Sequence, residues 1–254
     1  MANKVKLRFE VPKSLSDIYL YKYQKYISVV QGIEQETEES IRFVNLKALE
    51  IFCGVNLKDA YNLPLMEFES IVGDSLLNCL SEETPLIKTF WFRNSDGVEV
   101  EFGMIPNLSE ISFGEYVDIE NYMSDWKNMH KAMAVLYRPV ISKKKDYYLI
   151  EEYESSDKYS EFMKYMPTSV ALGCLLFFYR LGMKLSRHST AYSIAEMEKD
   201  QQFRVESQFL LLNGVTINQF MLSLEETYLN LTRLPKSQLK SVSLGSHLKK
   251  KKTN

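Results

Sequence analysis

The chain has 254 residues and a formal net charge of −2, with 45% hydrophobic and 13% aromatic residues. That balance supplies ample material for a packed core and no global field to draw the chain to nucleic acid or a membrane surface. Ten glycines and seven prolines argue against a many-turned all-β protein, and three cysteines cannot all pair within one chain.

In chain order, Val5, Leu7, Phe9 and Val11 alternate with charged residues until Pro12, which predicts a half-buried strand over 5–11. Ser14 or Ser16 can cap a helix running through Tyr19, Tyr23 and Ile27. Residues 32–40 are acidic and polar, a solvated loop or a frayed helix end. Residues 43–52 have helical spacing, with Gly54 as the C-cap, and Asn56 can cap a short helix ending near Asn62. Met66, Phe68, Ile71, Val72, Leu76, Leu77 and Leu80 suit an amphipathic helix that Pro85 breaks.

Residues 86–93 and 98–104 alternate around Asn94-Ser95-Asp96-Gly97, a hairpin signal. Together with 5–11 they predict a small antiparallel sheet, since two strands alone are marginal. Ser109 and Ser112 are candidate caps beyond it, and Ser112 with Glu115 spells a capping box. A helix over 125–137 is closed by Arg138-Pro139. Residues 142–157 are charged, 159–165 helical, and Pro167 opens a helix to about residue 185. Residues 194–212 and 216–234 predict two further helices joined at Asn213-Gly214. The polar tail beyond Pro235 ends in lysines and has the composition of a disordered segment.

One phrase recurs. Val11-Pro12, Leu15-Ser16-Asp17-Ile18, Leu20 and Tyr23 align with Ile105-Pro106, Leu108-Ser109-Glu110-Ile111, Phe113 and Tyr116. Looser matches follow at 48–52 with 132–136 and at 79–80 with 174–175. The offsets drift, so a common origin of the two stretches is left open. The expected fold is mainly α (α+β): helical bundle-like halves with a small antiparallel sheet or hairpin. The expected organisation is an N-terminal strand and helical unit (1–85), a β-hairpin (86–104), a second, related helical unit (105–185), a helical pair (186–240) and a basic tail (241–254).

Signals for chemistry are sparse. His130, with Asp125 and Arg138 nearby in sequence, could form a dispersed acid–base site, but a histidine on a packed helix face is the simpler reading. His188 and His247 fall in polar stretches, and neither histidines nor cysteines show metal-ligand spacing. Cys53, Cys79 and Cys174 lie among apolar neighbours, as reduced buried thiols do. No Gly-rich phosphate loop and no G-x-S-x-G elbow is present. Adjacent carboxylates (Glu151-Glu152, Glu225-Glu226) read as solvated faces. Lys143 to Lys145 and Lys249 to Lys252 could touch phosphates, yet are short enough to be solubilising stretches. The longest apolar run, 170–179, is about half the roughly 20 residues a membrane span needs. The N-terminus carries no apolar signal core. No catalytic residue, cofactor, metal or membrane partner is therefore expected.

The stretch from 105 to 179 contains I-P-N-L-S-E-I-S-F-G-E-Y-V-D-I-E-N-Y, D-W-K-N-M-H-K-A-M-A-V-L-Y-R-P-V, Y-L-I-E-E-Y and P-T-S-V-A-L-G-C-L-L-F-F-Y. It resembles proteins of tailed bacteriophages, including crAss-like phages. The resemblance implies a virion component or a tail-assembly, chaperone-like factor in the host cytoplasm or the particle. It would act on other phage proteins, with self-association left open and nucleic acid not expected. Tyr, Trp, Phe and Met are the residues interfaces favour. Helical spacing therefore makes Tyr116, Tyr122, Trp126 and Met129 one expected partner face, and Phe220 and Met221 mark another.

Overall fold

The structure, a computed structural model, describes residues 8–33, 37–93, 99–145 and 147–191. Its α-helices are α1 (Leu20–Gln31), α2 (Glu38–Cys53), α3 (Leu57–Tyr61), α4 (Leu65–Glu69), α5 (Asn78–Leu80), α6 (Phe113–Met123), α7 (Met129–Leu136), α8 (Asp157–Met163) and α9 (Thr168–Ala191). A π-helical stretch, Ser70–Leu77, joins α4 to α5. Four strands, β1 (Thr89–Arg93), β2 (Glu99–Met104), β3 (Tyr137–Lys144) and β4 (Tyr147–Ile150), form one antiparallel sheet in that order. The fold is mainly α with a small antiparallel sheet, as the composition and periodicity imply.

Local signals account for most boundaries. Thr37 caps α2 by accepting from the Ser40 amide, while the Ser40 hydroxyl accepts from the Thr37 amide. Gly54 closes the helix at φ 71°, a left-handed conformation that favours glycine. Asn56 caps α3 through its bond from the Asp59 amide. Ser112 and Glu115 form the expected reciprocal box at the start of α6.

The sheet departs from expectation in its membership. Residues 8–12 carry no strand, and residues 5–7 lie outside the described residues. The third and fourth strands come instead from 137–150, where the sequence predicts the end of a helix and a charged loop. α7 stops at Leu136, and Phe102, Gly103 and Met104 pair with Pro139, Arg138 and Tyr137. Gly103 is required by close packing: a Cβ there would meet the Tyr148 ring at 2.5 Å. That ring crosses the sheet so that its hydroxyl donates to the Met104 carbonyl at 2.8 Å.

The two similar stretches fold alike locally. Each makes a single 3-10 turn, Leu15–Asp17 and Leu108–Glu110, followed two residues later by a helix, α1 or α6. Leu15 and Leu108 are both buried, but Leu20 is buried where its counterpart Phe113 is exposed. The shared phrase thus encodes a turn-and-helix start rather than a shared burial pattern. One hydrophobic cluster runs from Leu15 to Leu181 and includes Leu49, Leu76, Phe102, Met133, Tyr137 and Phe178. The expected helices over 194–212 and 216–234 and the basic tail lie outside the described residues.

Candidate interaction surface

Burial first removes part of the expected face. Trp126 and Met129 are core residues, and Trp126 packs on Tyr23 at 5.4 Å between ring centroids. Tyr116 and Tyr122 are half-buried, with the Lys131 ammonium 5.5 Å from the Tyr122 ring. The four do not share a stripe because the helix is interrupted. α6 ends at Met123, Asp125 caps a new 3-10 turn, Trp126–Asn128, and α7 starts only at Met129. Phe220 and Met221 lie outside the described residues.

The residues of the alternative acid–base site each serve a separate structural network. His130 is buried on α7, and its Nδ1 accepts from the Gln24 amide at 3.1 Å. The same amide donates to the Trp126 and Lys127 carbonyls at 2.6 and 3.2 Å, joining α1 to the start of α7. Burial, and then the Lys164 charge, holds His130 below its ordinary pKa, so it is neutral in this setting. Asp125 accepts from the Lys127 amide and the Asn128 side chain. Arg138 is buried against Glu115, with Nη1 to Oε1 at 2.5 Å, and its guanidinium lies 5.4 Å from the Tyr153 ring. Tyr153 in turn donates to Asp118. Burial tends to raise the Glu115 pKa, but the Ser112 bonds and Arg138 outweigh it and hold the carboxyl below the ordinary range.

Of the basic residues at the β3–β4 turn, Lys143 is paired with Glu101 at 2.6 Å. Among the described residues, no group of three or more His, Cys, Asp or Glu is placed to hold a metal. No helix among them is long and apolar enough to cross a membrane. Cys53, Cys79 and Cys174 are free thiols, the last two buried. A cleft of about 530 Å³ lies against the π-helical stretch, lined by Lys13, Asp74, Ser75, Asn78, Cys79 and Glu82 among others.

A more organised surface lies where the start of α1 meets the α8–α9 connection. The residue before α1 is Tyr19, which offers no capping side chain. The first amides of the helix are satisfied across the fold instead: Leu20 donates to the Met166 carbonyl and Tyr21 to the Lys164 carbonyl, each at 2.9 Å. The Thr168 amide and hydroxyl both donate to the Ile18 carbonyl at 2.8 Å, and the Ser16 and Ser169 hydroxyls bond at 2.9 Å. Leu15, Ile18 and Leu20 beneath are fully buried. This rigid joint turns three rings outward, Tyr19 (48% exposed), Tyr21 (38%) and Tyr165 (53%). Their centroids lie 6.2 Å apart for Tyr19–Tyr21, 5.9 Å for Tyr19–Tyr165 and 5.4 Å for Tyr21–Tyr165. Each ring buttresses the other two in the geometry aromatic pairs prefer, so little side-chain entropy remains to be lost on contact.

Tyr19-Leu20-Tyr21 is visible in the sequence, but nothing there marks Tyr165 as its neighbour. Only the tertiary bonds of the joint bring residue 165 beside 19 and 21. Comparison of the chain with protein-family models, with curated proteins and with solved structures returns no match.

Proposed function

We propose that this chain is a non-enzymatic assembly protein that works by gripping another polypeptide, of the virion-associated or tail-assembly kind that its resemblance to tailed-phage proteins implies. The observation that carries the reading is the platform of Tyr19, Tyr21 and Tyr165. Tyrosine combines large apolar area with a hydroxyl that tolerates both water and a partner, and rigid aromatic anchors dominate protein–protein contacts. Here the anchors are fixed before any partner arrives. The elements that hold them, α1, α8 and α9, are tied by backbone bonds that do not depend on the rings themselves. The sequence from 105 to 179, on which the resemblance rests, supplies Tyr165 and the connection that orients it.

The test is co-purification of the chain with assembling particles from the host that produces it. The wild-type chain and a Tyr61→Ser control, whose ring is 73% exposed and away from the platform in sequence, should associate equally. The triple variant Tyr19→Ser, Tyr21→Ser, Tyr165→Ser should remain folded and lose association. Equal association of the triple variant and the wild type overturns the reading. Mass spectrometry of purified particles then separates the two forms of the role. A fixed copy number marks a structural component, and absence despite strong expression marks a transient factor.

A further inference from the structure

Among the described residues β1 is an edge strand without protection, and its geometry is self-complementary. Met104 donates its amide to the Lys88 carbonyl at 2.8 Å, and the register continues through Phe90 opposite Phe102 and Phe92 opposite Val100. In an antiparallel ladder, alternate residues turn their backbone groups toward the partner strand. Lys88, Phe90 and Phe92 therefore face β2, while Thr89, Trp91 and Arg93 present their N–H and C=O groups outward. No described residue bonds to those groups. Trp91 beside them is 63% exposed.

The opposite edge is built differently. β4 pairs with a strand that carries a register shift between Val140 and Ser142, and it is flanked by Lys143 to Lys145 and by Glu151-Glu152. Bulges and charges of that kind blunt an edge. β1 has neither bulge nor proline, and its one charged residue, Arg93, already pairs with Glu99 at 2.7 Å.

We propose that two copies of this chain pair β1 against β1 about a two-fold axis through Trp91, joining their sheets into one continuous sheet. In that register Trp91 exchanges both backbone bonds with the second Trp91, and Thr89 does so with Arg93 of the second copy. On the outer face the two Trp91 rings meet. On the inner face Phe90 lies opposite Phe92 of the second copy, extending the aromatic contacts that Phe92 already makes with Phe102 and Phe162. The charges fit as well. The two-fold axis sends the Arg93–Glu99 pairs to opposite ends of the junction, so no like charges face each other across it, and a net charge of −2 adds little repulsion. This pairing is independent of the tyrosine platform, and either can fail without the other.

Sedimentation of the full chain over a concentration series tests it. The wild-type mass should rise toward twice 29.6 kDa. Thr89→Pro removes only an outward N–H and leaves the ladder to β2 intact, so circular dichroism should be unchanged. Dimerisation should weaken at least about ten-fold, because the bond is lost twice by symmetry. Trp91→Cys should cross-link with itself on oxidation, since facing residues of a hydrogen-bonded pair have Cα atoms about 5.5 Å apart, within disulfide reach. Arg93→Cys should not, because its own copy lies four residues away along the strand, about 13 Å. The wild-type chain under the same oxidation sets the background from Cys53, Cys79 and Cys174. A monomer at every concentration overturns the proposal, as does a dimer that Thr89→Pro leaves intact or one in which Arg93→Cys cross-links as readily as Trp91→Cys.

Discussion

Replacing Gly173 with alanine tests how closely α9 is packed against the connection between α5 and β1. In an exposed helix interior, glycine to alanine stabilises by about 0.5–1 kcal/mol because it restricts the unfolded chain. Gly173 is not in open space. A Cβ on it would stand 2.2 Å from the Pro85 carbonyl oxygen and 3.0 Å from the carbonyl carbon. Both obstacles are backbone, in the irregular connection that leads from α5 to β1, so no side-chain rotation relieves them. The segment must move by roughly an ångström, and forcing a methyl group into a packed site costs about 1–3 kcal/mol or more. The clash outweighs the propensity gain, and Gly173→Ala should destabilise the chain by about 1–2 kcal/mol net. Gly73, in the π-helical stretch, is the internal control: nothing lies within 4 Å of its added Cβ, so Gly73→Ala should be neutral or stabilising by up to about 1 kcal/mol. Urea unfolding followed by circular dichroism reads both. A Gly173→Ala variant at least as stable as wild type refutes this account of the α9 contact.

Further expectations follow from the buried polar groups. Glu115→Gln keeps the capping geometry but leaves the Arg138 guanidinium buried without its carboxylate, at a cost of about 3–5 kcal/mol; adding Arg138→Met should recover most of it, and a double variant no better than the single one contradicts the pairing. Tyr137→Phe strips the buried hydroxyl from the Ile87 carbonyl it reaches at 2.8 Å and should cost about 1 kcal/mol in the same assay. For His130, the folded pKa is below the ordinary 6.5, so the unfolded chain takes up a proton first as pH falls. Its contribution is intact above about pH 6.5 and is lost progressively below it, with a slope of at most about 1.4 kcal/mol per pH unit. Lys164, Glu161 and Lys131 set its local field, and His130→Asn, which keeps an acceptor for Gln24, should flatten that slope if His130 is its source.

Where structure is decided within a few residues, the sequence carries it. Gly54, Asn56 and Ser112 with Glu115 each mark a boundary that forms as their local chemistry dictates, whereas the helix expected to run to Pro85 already ends at Leu80, capped by Ser81. The second hairpin is hidden for physical reasons. Its turn places Lys145 at φ 53°, a left-handed position held by a residue that gives no Gly or Asn signal. Its first strand contains Pro139 and runs straight on from α7, so the helical pattern overruns into Tyr137. What ties 137–139 into the sheet is pairing with β2, more than thirty residues earlier, which no local window registers, while 140–144 pair with β4. The interaction surface follows the same rule. A face extrapolated at helical spacing from Tyr116 to Met129 fails at the 3-10 turn that swings Trp126 into the core. The tyrosines that do cluster are drawn together by bonds between residues 19–21 and 164–167.

The most direct measurement of the central claim is site-specific photocross-linking in the producing cell, with a photoreactive phenylalanine analogue placed in turn at Tyr19, Tyr165 and the exposed control Tyr61. The platform account predicts one discrete polypeptide adduct, of the same identity from Tyr19 and Tyr165 and missing from Tyr61. No adduct at the platform, or the same adducts from all of these positions, would contradict it.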